Sequence, residues 1–131
     1  FFWSCVYSHV LHHRTTIRTS LTVFAHCPPQ LPQPSNAAPY LLLGTIPPAL
    51  QKSVRAQINC VRLVGGDTMH YWIIDFREEL LGTLKDWDFL LINDSEARQL
   101  SEESNLRKAA TKILDMGPNT LIIKRGEYGA M

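Results

Sequence analysis

From Tyr40 onward, short apolar runs alternate with helical patterns, and that alternation leaves few folds open. "YLLLG" (40–44), "VRLVGGD" (61–67), "DFLLIN" (88–93) and "TLIIKRG" (120–126) each close on Gly, Asp or Asn. Most carry apolar residues on consecutive positions, which predicts burial on both faces, as in a parallel sheet. Helical patterns lie between them. Pro47 and Pro48 suit a first helical turn, and Leu50, Val54 and Ile58 follow at i, i+4, i+8. Ile73, Leu80, Leu81 and Leu84 mark a second helix, with Gly82 a mild internal weakness. Leu106, Ala109, Ala110, Ile113 and Leu114 form the clearest apolar stripe, and Gly117-Pro118 is expected to stop it with a left-handed cap. Four strands separated by helices predict right-handed crossovers, an α/β fold and a mostly parallel sheet flanked by helices.

The N-terminal part reads differently. "FFWSCVY" (1–7) and "TSLTVFA" (19–25) are rich in β-branched and aromatic residues and predict strands, with "SHVLHHRTTIR" (8–18) a polar turn-like piece between them. "CPPQLPQPSNAAP" (27–39) carries five prolines, which lack an amide donor and fix φ. An extended connector is expected there, dividing the chain into 1–39 and 40–131.

The 131 residues suffice for one real core, and 45% apolar with 19% charged residues fits a globular chain. A net charge of +1 points to neither nucleic acid nor an anionic membrane as partner. No run approaches the ~18 to 20 apolar residues of a spanning helix. His12, His13, Arg14 and Arg18 interrupt the N-terminal stretch, which suits no signal peptide. Cys5, Cys27 and Cys60 match neither a zinc spacing nor a disulfide framework, so a reducing, cytoplasmic location is expected. The chain opens on Phe1, and a piece of a longer protein is expected.

In open α/β sheets, ligands gather beyond the carboxyl ends of the strands. Four places qualify: Gly44-Thr45, Asp67-Thr68, Asn93 to Glu96, and Lys124 to Gly129. Asn93-x-x-Glu96 has two compatible readings. Asn is a good N-cap, and Glu three residues on makes a capping box. A carboxylate in that first turn also faces the crevice, where a hydrated magnesium needs only one or two carboxylates beside phosphate oxygens. Gly126 and Gly129 flank a turn that lets backbone approach a ligand, with Lys124 or Arg125 set toward a phosphate; these residues alone favour an ordinary turn with a solvated basic pair. Asp67 is a further strand-end site, or a turn residue. His9, His12 and His13 have helical spacing in a strand-rich context without a carboxylate partner, and read as surface.

"LLINDSEARQLSEESNLRKAATKILDMGPNTLIIKRGEYGA" resembles the PfkB-type carbohydrate kinases, the ribokinase-like family, in its Asn-x-x-Glu element, the helix after it and the strand ending in a Gly-x-x-Gly turn. "APYLLLGTIPPALQ" and "VGGDTMHYWI" look like the preceding strands, and "FFWSCVY" with "TSLTVFAHCPPQLP" like part of the family's β lid and its link to the core. The resemblance implies transfer of the ATP γ-phosphoryl group to a hydroxyl of a sugar, nucleoside or similar small molecule. It implies that Asn93 and Glu96 help hold magnesium and phosphates, and that Lys124, Gly126 and Gly129 line the nucleotide. A lid sheet with free edges invites pairing with a second subunit, so a homodimer through the lid is expected.

The family's N-terminal Gly-Gly element and its Gly-Ala-Gly-Asp element, with the catalytic aspartate, are expected before Phe1 and beyond Met131. The Gly65-Gly66 pair lies on the wrong strand to replace the former. Thr45 stands where relatives often have Asn, His70 where Asn is usual, Cys5 near an expected lid glycine, and Lys124 where Thr is common. The segment alone is therefore expected to be inactive. The alternative is a non-catalytic nucleotide-binding module on a degenerate kinase fold. A Rossmann-type dehydrogenase is disfavoured, since no Gly-x-Gly-x-x-Gly follows a strand.

Overall fold

The computed structural model describes residues 2–9, 14–22 and 27–131. Four parallel strands form the main sheet in the order β3-β4-β5-β6: β3 (Tyr40–Leu43), β4 (Leu63–Asp67), β5 (Phe89–Asn93) and β6 (Thr120–Lys124). Five helices connect them: α1 (Pro48–Ala56), α2 (His70–Asp75), α3 (Arg77–Leu84), α4 (Asp94–Ser101) and α5 (Leu106–Leu114). Strands adjacent in sequence are adjacent in space. With right-handed crossovers, such an order sends every helix to the same face. The helices accordingly form one layer, α1 on α3, α3 on α2, α2 on α4 and α4 on α5.

The register identifies that face. Leu43, Gly66, Leu90 and Leu121 align across the four strands, and side chains alternate along each strand. Leu43, Val64, Leu90, Ile92 and Ile123 therefore point to the helices, where they join Ile73, Leu80, Leu84, Leu100 and Ile113 in the core. The opposite face carries Tyr40, Leu42, Leu63, Phe89, Leu91 and Ile122, and Tyr40 and Leu42 are each 68% exposed. Consecutive apolar residues led to the expectation of burial on both faces; among the described residues, only one face is covered.

Local structure departs from the sequence reading in three more places. The second N-terminal strand is β2 (Arg14–Ser20), antiparallel to β1 (Phe2–Tyr7), so residues 14–18 are strand rather than turn. The β-branched Thr15, Thr16 and Ile17 suit that pairing. Ser20 is the last strand residue, and residues 23–25 of the expected strand 19–25 lie outside the described ones, as do His12 and His13. The register shifts between Ser4 and Cys5, where Ile17 is the extra residue.

The single helix expected across Ile73–Leu84 is two. Phe76 leaves helical geometry at φ −133°, ψ 35°, and its ring meets Trp72 edge-on at 5.2 Å. Gly117 is not the left-handed cap of α5, which ends at Asp115 in ordinary helical geometry. Its φ of +149° instead carries the chain past the end of α3, where a Cβ would lie 2.6 Å from the Leu84 carbonyl oxygen. The expected glycine is needed, but for close approach rather than for capping.

Candidate functional site

The carboxyl ends of β3 to β6 open into a cleft of 1480 Å³. Thr45, Asp67, Thr68 and His70 line it from the ends of β3 and β4, Asn93 and Glu96 from β5–α4, and Lys124 with Gly126 from the end of β6. Trp3, Tyr7, Thr15, Thr16 and Thr19 of the N-terminal hairpin close its other side. Five of the six residues singled out as site candidates thus share one cavity. The sixth, Gly129, closes the adjoining turn without lining the cleft.

The Asn93–Glu96 element is a complete capping box. Asn93 Oδ1 accepts the Glu96 backbone N–H at 2.8 Å, and Glu96 Oε2 accepts the Asn93 N–H at 2.9 Å. Both donors would otherwise be unsatisfied at the helix start. Glu96 is only 7% exposed, held at the cleft wall by its own helix. Arg98 in turn donates to the Asp94 backbone carbonyl and carboxylate, at 3.1 and 3.2 Å.

At the neighbouring strand ends, Thr45 donates its hydroxyl to Asp67 Oδ1 at 2.6 Å. Beneath them lies Gln51 of α1, 1% exposed. Its Nε2 donates to the carbonyls of Gly44 (2.8 Å) and Asp67 (3.2 Å), tying the ends of β3 and β4 together. Sequence reasoning passed over Gln51; the signal was a polar residue beside Leu50 in an otherwise apolar stripe. The Thr68 hydroxyl is buried and finds no hydrogen-bond partner among the described residues. His70 Nδ1 lies 2.6 Å from Gln99 Oε1, linking the start of α2 to α4.

After β6 the chain makes a tight turn over Gly126–Tyr128. Gly126 (φ +57°) and Gly129 (φ +78°) both sit at positive φ. Arg125 N–H donates to the Gly129 carbonyl at 2.8 Å, and Lys124 then bridges antiparallel to Ala130. A Cβ at either glycine would meet open space, so backbone geometry rather than crowding calls for glycine here. Lys124 and Arg125 are exposed, and the Arg125 guanidinium lies 5.9 Å from the Tyr128 ring centre.

No group of three or more His, Cys, Asp or Glu among the described residues is placed to hold a metal ion by itself. The donors present are spread: one Glu96 oxygen serves the cap, and one Asp67 oxygen serves Thr45. That set fits a hydrated magnesium shared with phosphate oxygens and does not fit an all-protein cage. Cys5, Cys27 and Cys60 are free thiols and His9 is exposed. No helix among the described residues is long and apolar enough to cross a membrane.

No protein-family profile matches the sequence, and no curated protein matches it. Solved structures do. The PfkB protein from Polaromonas sp. JS666 superposes with a TM-score of 0.56 at 18% identity, over 72% of this chain and 39% of its own. The pyridoxal kinase from Staphylococcus aureus, solved in complex with AMP-PCP, gives 0.58 at 18% identity, over 96% of this chain and 50% of its own. This chain thus spans half or less of either structure. At such identity the likeness is one of fold: the protein has a ribokinase-like α/β fold, a parallel four-strand sheet flanked by helices, shared with these two structures.

Proposed function

We propose that the cleft is the nucleotide end of a phosphotransferase site: it binds ATP with magnesium, in a protein that transfers the γ-phosphoryl group to a hydroxyl of a sugar, nucleoside or similar small molecule. The observation that carries this reading is the convergence of Asn93, Glu96, Asp67, Lys124 and Gly126 on one cavity at the carboxyl edge of a parallel sheet. The bound ATP analogue in the pyridoxal kinase supports ATP as the nucleotide.

Glu96 and Asn93 would hold the hydrated ion, with Asp67 as a second carboxylate. Bound magnesium would supply positive charge against the triphosphate oxygens. Lys124 adds a cation on the same side, and the turn at Gly126 to Gly129 lies along the nucleotide. Such a site works by positioning and charge, not by covalent chemistry. In this reading residues 1–39 are lid strands and a connector, and 40–131 belong to the kinase core. Cytoplasmic location and a lid-mediated homodimer belong to the same proposal.

Titration of the ¹⁵N-labelled chain with AMP-PCP and magnesium tests it. The amides of Gly126, Glu96 and Lys124 should shift together and saturably. Shifts confined to the helix layer, or none, remove the nucleotide from this cleft.

A further inference from the structure

Among the described lining residues His70 is the one histidine, and its ring can offer a bare nitrogen as an uncharged acceptor. Arg98, Lys124 and Arg125 only donate hydrogen bonds, Asp67, Asp94, Glu96 and Glu127 accept but carry negative charge, and the Asn93 amide oxygen, which accepts without charge, already takes the Glu96 N–H. A carboxylate that accepts a ligand hydroxyl also repels a triphosphate bound nearby. A neutral imidazole nitrogen accepts without that repulsion.

Gln99 determines which nitrogen is free. An amide oxygen has no proton to give, so the 2.6 Å contact requires Nδ1 of His70 to carry the hydrogen and donate it to Gln99 Oε1. In the neutral ring, Nε2 is then a bare acceptor. Gln99 lies on α4, the helix whose first turn holds Glu96, so the ring orientation is tied to the same element as the acidic residue.

We infer that His70 is a specificity-determining residue: Gln99 holds its ring with the proton on Nδ1, and Nε2 accepts a hydrogen bond from a hydroxyl or amine of the small molecule bound in the cleft. This rests on the reading of the cleft as a small-molecule site. It adds a recognition element from the β4–α2 junction, separate from the nucleotide contacts at β5–α4 and β6.

Long-range ¹H–¹⁵N spectra of the histidine-labelled chain test the lock, with His70→Asn identifying the signal among the five histidines. The native chain and Gln99→Glu should show the proton on Nδ1. Gln99→Leu should return it to Nε2. A native ring protonated on Nε2, as a reversed Gln99 amide would produce, overturns the inference.

Titration with D-ribose, adenosine and pyridoxal then tests recognition. At least one should move the His70 Nε2 resonance; His70→Phe should lose that binding at least tenfold, and His70→Gln, which keeps an acceptor, should retain most of it. A probe that shifts the Thr45 and Asp67 amides but leaves Nε2 unmoved refutes the role. If AMP-PCP binds and none of the three probes does, the role is refuted and the nucleotide site stands. If no compound binds, the reading of the cleft falls, and the recognition role falls with it.

Discussion

Glu96→Gln separates the cap made by this side chain from its proposed ion contact. As a cap, Glu96 needs only an oxygen that accepts the Asn93 N–H, now 2.9 Å from Oε2. A glutamine supplies that oxygen, and Asn93 Oδ1 still accepts the N–H of residue 96. What disappears is the negative charge at the start of α4, worth about 0.3–1 kcal/mol against the helix dipole. The variant should therefore lose under about 1 kcal/mol in urea unfolding, with an unchanged m value. Ion binding should suffer more. Across one water, about 6 Å, a unit charge pair contributes roughly 0.7 kcal/mol even at the dielectric of water. A divalent ion doubles that to about 1.4 kcal/mol, a tenfold loss. Calorimetric titration of AMP-PCP at varied magnesium should show at least that weakening. Native affinity and magnesium dependence in the variant would remove Glu96 from the site. Conversely, a stability loss beyond about 2 kcal/mol would mean that the charge serves the fold.

Asn93→Ala should show the reverse balance, costing about 1–2 kcal/mol by urea unfolding because the buried Glu96 N–H loses its acceptor. Gln51→Leu leaves the Gly44 and Asp67 carbonyls without their shared donor and should cost about 2 kcal/mol, read as a lower urea midpoint. Gly82→Ala and Gly117→Ala should move thermal midpoints in opposite directions. The first adds a helix-favouring methyl in open space and gains up to about 1 kcal/mol; the second meets the Leu84 carbonyl at positive φ and loses more than that. Leu42→Thr on the uncovered sheet face should leave stability within about 0.5 kcal/mol while lowering self-association in sedimentation velocity.

Much of the site was legible as spacing. Asn93-x-x-Glu96 at the end of an apolar run specifies a capped helix start, because a cap and its reach-back partner are separated by one helical turn. Asp67 and Lys124 could be placed at strand ends for the same local reason: an apolar run stops at the first polar residue. The hairpin side was less legible. The residues facing the cleft from β1 and β2 follow from a hairpin register that shifts at Ser4/Cys5, and no local pattern announces that shift.

The sequence by itself determined the order of strands and helices, the apolar stripe of α5 and the capping box, all of which depend on contacts within a few residues. Only the tertiary structure decided the rest. Consecutive apolar residues in β3 mark both faces of a strand alike, and the sequential strand order, through the handedness of its crossovers, leaves Leu42 exposed while Leu43 is buried. The break at Phe76 goes with an edge-on ring contact to Trp72 that helical periodicity does not reveal. Gln51 beneath two strand ends, and His70 against Gln99, join residues 7 to 29 positions apart. Such partners meet only when the sheet has formed, because burial rather than local conformational preference selects them.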